Sequence, residues 1–321
     1  MHFIEVRHSL LSNKTIEYLL RFYDIGNILN CSFLTRGLND TYFILTERKK
    51  YIFRIYRKGW REKSDILFEL DAINHTSENG ISVSKPLIRK DGLWLTEIPT
   101  PEGTRYGVLF HYTEGDRPEI NEENCFIIGK TLGNIHQATD SFTSSYERDV
   151  ELNLSHLLDR PVDIITPILR EFSSKKEATF NTIISNIKNY LYEKNSLDYG
   201  FCHGDFHNFN MHIDNKKLEV FDFDCCGFGY RAYDVSVFLW NLKQNYPSLE
   251  QSCWDSFMNG YLSQKSMSKN DMKEIIKFVT LRRIWFMGIL IKNDDIWGTI
   301  WRNGSNFEHF ISQLEQDAEH Y

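Results

Sequence analysis

The spacing of apolar and polar positions changes character partway along the chain. Apolar residues at helical spacing over 15–23, stopped at Gly26, predict a short amphipathic helix. The segments 31–34, 41–45 and 51–56 are short and rich in aromatic and branched residues. Gly37, Asn39 and Asp40 lie between the first two, and the set predicts an antiparallel meander. A helix over 62–79 ended by Gly80 follows, then strands over 87–88, 93–96 and 106–112. Beyond Gly115 the period lengthens, predicting helices over 122–139, 161–172 and 178–194 and several more from Tyr233 onward. One interruption, 200–230, sets strand-like pieces at 211–213 and 218–221 among His, Asp, Asn and Gly. The expected class is α+β in two lobes: residues 1–112 with a small antiparallel sheet and an N-terminal helix, and residues 113–321, mainly helical.

Composition narrows the function. With 41% hydrophobic and 14% aromatic residues, 321 residues can bury a sizeable core, which excludes a disordered tail or a disulfide-stapled miniprotein. Lys plus Arg number 37 against 44 Asp plus Glu, a formal charge of −7, which argues against a nucleic-acid partner. The longest strongly apolar run, 284–291, falls short of the roughly 20 residues of a membrane helix, so no membrane partner is expected. Residues 1–11 mix Glu5, Arg7 and two His with isolated apolar positions, unlike a secretory signal. Six scattered Cys, with Cys225 and Cys226 adjacent, read as reduced thiols, and the expected location is the cytoplasm.

The densest polar segment is Cys202-His203-Gly204-Asp205-Phe206-His207-Asn208-Phe209-Asn210, followed after a predicted hairpin by Phe221-Asp222-Phe223-Asp224. The protein-kinase catalytic loop reads H-R-D-x-x-x-x-N and precedes D-F-G; His203, Asp205, Asn210, Asp222 and Phe223 take the corresponding places. Phosphoryl transfer needs a carboxylate to accept the acceptor hydroxyl's proton and oxygen ligands for the cations that neutralise the triphosphate. Asp205 suits the first role, Asn210 and Asp222 the second.

His-Gly-Asp in place of His-Arg-Asp, an Asp-aromatic-acid triplet and Tyr233-Asp234 opening a helix resemble the aminoglycoside phosphotransferase and choline kinase superfamily, over about residues 25–240. Leu281-Arg282-Arg283 and Trp285 also resemble the stress-response kinase and type II homoserine kinase branch. The resemblance implies a bilobal protein-kinase-like fold and a magnesium-requiring phosphotransferase. The donor would be ATP, or GTP in its place, and the acceptor a small-molecule hydroxyl. A protein kinase of the stress-response type and a non-turning-over nucleotide binder are the alternatives; intact Asp205, Asn210 and Asp222 speak against the second.

The same resemblance implies a first-lobe cation for the triphosphate, and Arg54 stands where most members have Lys. Alternation puts Ile52, Arg54 and Tyr56 on one face of their strand. Glu69, beside the stripe of Ile66, Leu70 and Ile73, is the expected partner, with Glu62 and Asp65 as substitutes nearer the helix start. Gly37 and Asn39 lie in a loop that either folds over phosphates or is a plain hairpin turn. Phe110, His111 and Tyr112 fall where the fold would cross between lobes and contact adenine. His207 stands where protein kinases often carry Lys, a donor to the transferred phosphoryl. Asp224 is either a second magnesium contact or a structural acceptor, Asp234 either a helix N-cap or a brace, and His203 a brace for the loop. Asp294-Asp295, near Trp285, Trp297 and Trp301, either receive a cationic acceptor or are solvated acids. Cys202, His203, His207, His212, Cys225 and Cys226 could in principle bind zinc, but no ligand spacing organises them.

Overall fold

Alternation in consecutive segments builds the first sheet. β1 (Ile28–Arg36), β2 (Asn39–Thr46) and β3 (Lys50–Tyr56) form the meander, β4 (Thr96–Thr100) and β5 (Gly103–His111) a hairpin, and the strand order is β1-β2-β3-β5-β4. The β2–β3 register sets Tyr42 against Phe53 and Ile44 against Tyr51. These residues, with Ile55 and Leu109, share a core with Ile16 and Leu19 of α1 (Asn13–Leu19). Each fully buried large side chain of this kind stabilises by about 1.5–3 kcal/mol relative to exposure. The opposite face of β3 presents Arg54 to α2 (Lys63–Glu78), which buries Ile66, Leu70 and Ile73. Two expected strands move. Asp91 accepts from the Leu93 amide and from Arg89, so 89–93 turns back and β4 begins only at Thr96. Residues 87–88 lie beside a single bridge between Pro86, which lacks an N–H, and Phe110.

The computed structural model describes residues 5–192 and 197–321. It divides the chain into two units: the residues up to Glu114 with Thr143–Arg148 and Glu219–Phe221, and Gly115–Phe142 with Asp149–Leu218 and Asp222–Tyr321. In the second unit α3 (Glu122–Ala138) lies on α7 (Glu250–Leu262) with backbones in contact. A Cβ on Gly129 would stand 1.9 Å from the Phe257 carbonyl oxygen, and one on Gly260 2.1 Å from that of Phe126.

Around one core gather α4 (Arg160–Phe172), α5 (Ser174–Tyr192), α6 (Arg231–Asn245), α8 (Lys269–Lys292) and α10 (Gly304–Ala318), with the short α9 (Asp294–Trp297) after α8. The expected end of the helix at 194 lies outside the described residues. Between α5 and α6 run β6 (Tyr199–Cys202), β7 (Met211–Asp214), β8 (Lys217–Val220) and β9 (Gly227–Tyr230), paired β6–β9 and β7–β8. The pattern missed β6 and β9, whose glycines are required by neighbours: a Cβ on Gly200 would meet the Arg231 guanidinium at 2.3 Å, and one on Gly229 the Leu152 Cβ at 2.4 Å. No helix among the described residues is long and apolar enough to cross a membrane.

Candidate active site

The link from β6 to β7 carries the His-Gly-Asp run, and its glycine has two reasons to be there. Gly204 has φ +82°, and a Cβ at that position would lie 2.2 Å from the Cys225 carbonyl oxygen, so neither the backbone nor the space admits a side chain. The loop hangs on Asp234. Its fully buried carboxylate accepts from the amides of His203 (2.7 Å) and Gly204 (2.7 Å) and pairs with His136 Nε2 at 3.0 Å, while His136 Nδ1 lies 2.9 Å from the Tyr261 hydroxyl. Burial alone would raise the Asp234 pKa, but His136 and the His203 amide hold it below the ordinary value. The cap of α6 is Tyr230, so Asp234 is the brace and not the N-cap. His203 braces from inside: its Nδ1 accepts from the Asp205 amide at 3.3 Å, and its ring lies 4.5 Å from that of Phe223.

Asp205 sits partly exposed at the end of this scaffold. Arg282 Nη2, from α8, donates to its Oδ1, and His207 Nε2 lies 3.2 Å from the same oxygen. Asn210 Nδ2 donates to Oδ2 and to the Asp205 carbonyl, both at 3.0 Å. Burial would raise this carboxyl, yet His207 and the Arg282 guanidinium beside it hold it well below the usual carboxylate range. His207 Nδ1 accepts from the Phe209 amide at 3.3 Å, which turns the Nε2 proton toward Asp205.

The donor set suits a hard cation. The side-chain amide of Asn210 is committed to Asp205, so its Oδ1, which has no protein donor among the described residues, is presented as an oxygen ligand. Asp222 is held in the left-handed region (φ 64°, ψ 58°), costing about 1–2 kcal/mol in a residue with a Cβ. Asp224 follows in a 3₁₀ turn and is buried. Among the described residues, the grouping of possible metal ligands that comes together is His136, Cys202 and Asp234, not the six His and Cys noted above; two of its three members already bond each other.

In the first unit, Arg54 Nη1 donates to Glu69 Oε1 at 3.0 Å and the Tyr56 hydroxyl to Glu69 Oε2 at 2.9 Å; Glu69 is fully buried. Arg54 also lies 5.2 Å from the centre of the Phe110 ring. Glu62 and Asp65 are occupied by the reciprocal cap of α2. Gly37 and Asn39 form a hairpin turn, the Gly37 amide donating to the Asn39 carbonyl and the Asn39 side chain accepting from the Arg57 amide. The amides of His111 and Tyr112 donate to the carbonyls of Lys85 and Lys50, so neither is available to read a base; burial lowers the His111 pKa. In the second unit, Asp294 lies 3.7 Å from Arg302, and Trp285 donates its indole N–H to His156.

Sequence reasoning gave Arg282 no role. The available signal was a charged residue flanked by Leu281, Ile284 and Trp285 on a buried helix, which calls for a carboxylate partner.

A five-stranded antiparallel unit and a helical unit bearing this loop define a protein-kinase-like phosphotransferase fold. The Phosphotransferase enzyme family matches residues 32–256, and the chain belongs to it. An uncharacterized protein of Deinococcus radiodurans is 31% identical over 292 residues, 88% of this chain and 84% of that one. The amicoumacin kinase of Bacillus subtilis is 24% identical over 307 residues, 89% and 86%. Among solved structures, an amicoumacin kinase in complex with AMP-PNP and Ca²⁺ superposes with a TM-score of 0.79 at 21% identity, covering 94% of this chain and 92% of that one. A microcompartment-associated aminopropanol kinase gives 0.76 at 19%, covering 95% and 94%. The expected aminoglycoside phosphotransferase-like family and α+β fold are thereby established.

Proposed function

We propose that the protein transfers the γ-phosphoryl group of ATP to a hydroxyl of a small molecule, in a magnesium-requiring reaction in the cytoplasm. The observation that carries the reading is the Asp205–Asn210 pair: one amide fixes Oδ2 of the acid and turns its own oxygen outward as a ligand. Asp205 orients the acceptor hydroxyl. As that oxygen bonds to the γ-phosphorus and the bond to the β-phosphate oxygen breaks, Asp205 takes the proton and ADP leaves.

Asn210 and Asp222, with Asp224 as a further candidate, would hold magnesium, which supplies charge neutralisation of the triphosphate when bound. Arg54, oriented by Glu69, contributes a cation to the phosphates. His207 supports Asp205 through Nε2. In this reading Gly37, Asn39, Phe110, His111 and Tyr112 meet the nucleotide through side chains and remaining backbone groups. The kinship with amicoumacin and aminopropanol kinases supports an acceptor that carries an amine as well as a hydroxyl.

The test is transfer of label from γ-labelled ATP, with magnesium, to aminopropanol, amino sugars, choline-like amines and homoserine, beside a generic protein substrate. Asp205→Asn is expected to abolish steady-state transfer, leaving only a slow single-turnover rate, while ATP binding survives. Turnover retained in that variant would sink the assignment of the base, and label appearing on protein alone would point to the protein-kinase alternative.

A further inference from the structure

We infer that Arg282 is a positioning residue for the transfer, fixing which oxygen of Asp205 meets the acceptor hydroxyl. The inference rests on Asp205 being the proton acceptor. Each carboxylate oxygen offers two lone pairs. Oδ1 receives Arg282 Nη2 and stands 3.2 Å from His207 Nε2, so it is flanked on two sides and is the more heavily occupied oxygen. Oδ2 receives Asn210 Nδ2 at 3.0 Å, and one lone pair remains. The hydroxyl therefore meets Oδ2. Without Arg282 only the Asn210 bond and the His207 contact resist rotation about the terminal carboxylate torsion, which is broad and twofold.

Arg282 is built to hold still. Its guanidinium lies 4.7 Å from the ring centres of both Trp240 and Trp285 and 5.9 Å from that of Phe286. Nη1 reaches the Gly204 carbonyl and the Tyr233 hydroxyl, both at 3.4 Å. The side chain is 2% exposed, and its buried Nε has no acceptor among the described residues. Stability alone would not favour an unsatisfied buried donor, and the arrangement that leaves Nε without an acceptor is the one that sets Nη2 on Asp205. Arg283, about 100° further round the helix, goes elsewhere: its Nε donates to Asp317 at 2.8 Å and its Nη1 to Gln244 at 3.3 Å. Two adjacent arginines thus divide between the loop and the structural frame.

The experiment uses the full-length chain, labelled ATP and the same acceptors pooled. Arg282→Met is expected to lower kcat about a hundredfold, the scale of a misplaced catalytic group, with KM for ATP unchanged. Arg282→Lys keeps a charge but not the fork, and should recover only part of the loss. If Arg282 acts through Asp205, adding Arg282→Met to Asp205→Asn produces no further fall in the residual single-turnover rate. A kcat within twofold of wild type, a loss confined to KM for ATP, or an undiminished further loss in the Asp205→Asn background would overturn the inference. Should Arg282→Met fail to fold, Arg282→Lys carries the same comparison. Full turnover in Asp205→Asn alone would instead remove the reading of the base, so the two failures are distinguishable.

Discussion

At Glu69 a carboxylate with no exposed surface meets a guanidinium at 3.0 Å. Breaking a buried pair from one side is far more damaging than replacing both members, because the remaining charge is left in a poor solvent. Arg54→Met is therefore expected to destabilise by about 3–5 kcal/mol, read as a fall in the urea midpoint at unchanged slope. Adding Glu69→Gln should recover much of the loss. Equal midpoints for Arg54→Met and the double variant would show that the charge left behind is not the cause. The resemblance to the phosphotransferase family pointed to a cation on β3 and a carboxylate on α2, and the local pattern then placed Arg54 on its face of the strand and favoured Glu69 over Glu62 and Asp65. Asp205 and Asn210, which the fold joins at 3.0 Å, were legible through their kinase-like spacing. Arg282 was not, because 77 residues separate it from Asp205 and no pattern within either segment declares the contact.

Between elements, the decisive tie runs from α3 to α6 through His136 and Asp234. Burial lowers the His136 pKa from its model-peptide value of about 6.5, against the opposing pull of Asp234. A base whose folded pKa is depressed binds fewer protons folded than unfolded in the window just below its unfolded pKa, so stability falls there as pH drops. Unfolding free energy should decline as pH is lowered from about 6.5, and His136→Gln should flatten that decline relative to wild type. Parallel pH profiles in urea unfolding would remove His136 as the source. The chain's pattern gave α2 and α3 to within a residue or two at each end, since apolar stripes and caps announce helices. It gave β6 and β9 no voice. Strands of four residues in which glycine is chosen for a neighbour's bulk carry no alternation to read.

At the scale of the whole molecule the chain carries a net charge of −7, and the proposed donor is a polyanion. Overall charge therefore disfavours the nucleotide, and in the proposed reaction a bound metal and basic side chains would have to reverse that locally. A ligand that binds only the folded chain stabilises it by about 2.7 kcal/mol at a hundredfold excess over Kd, and each kcal/mol raises Tm by roughly 2–4 °C for a domain of about 150–250 residues, the range of the helical unit. ATP with magnesium should thus raise Tm by about 5–10 °C. Chelating the metal should abolish most of the shift, because under the proposed assignment the carboxylates of Asp222 and Asp224 would then oppose the triphosphate without a cation between them. Asp222→Ala should behave differently from chelation: it removes a ligand and also a repelling charge, so weak, metal-independent ATP binding is expected to survive. A shift of the same size in the presence of EDTA would assign phosphate binding to the arginine alone and withdraw Asn210 and Asp222 from the metal.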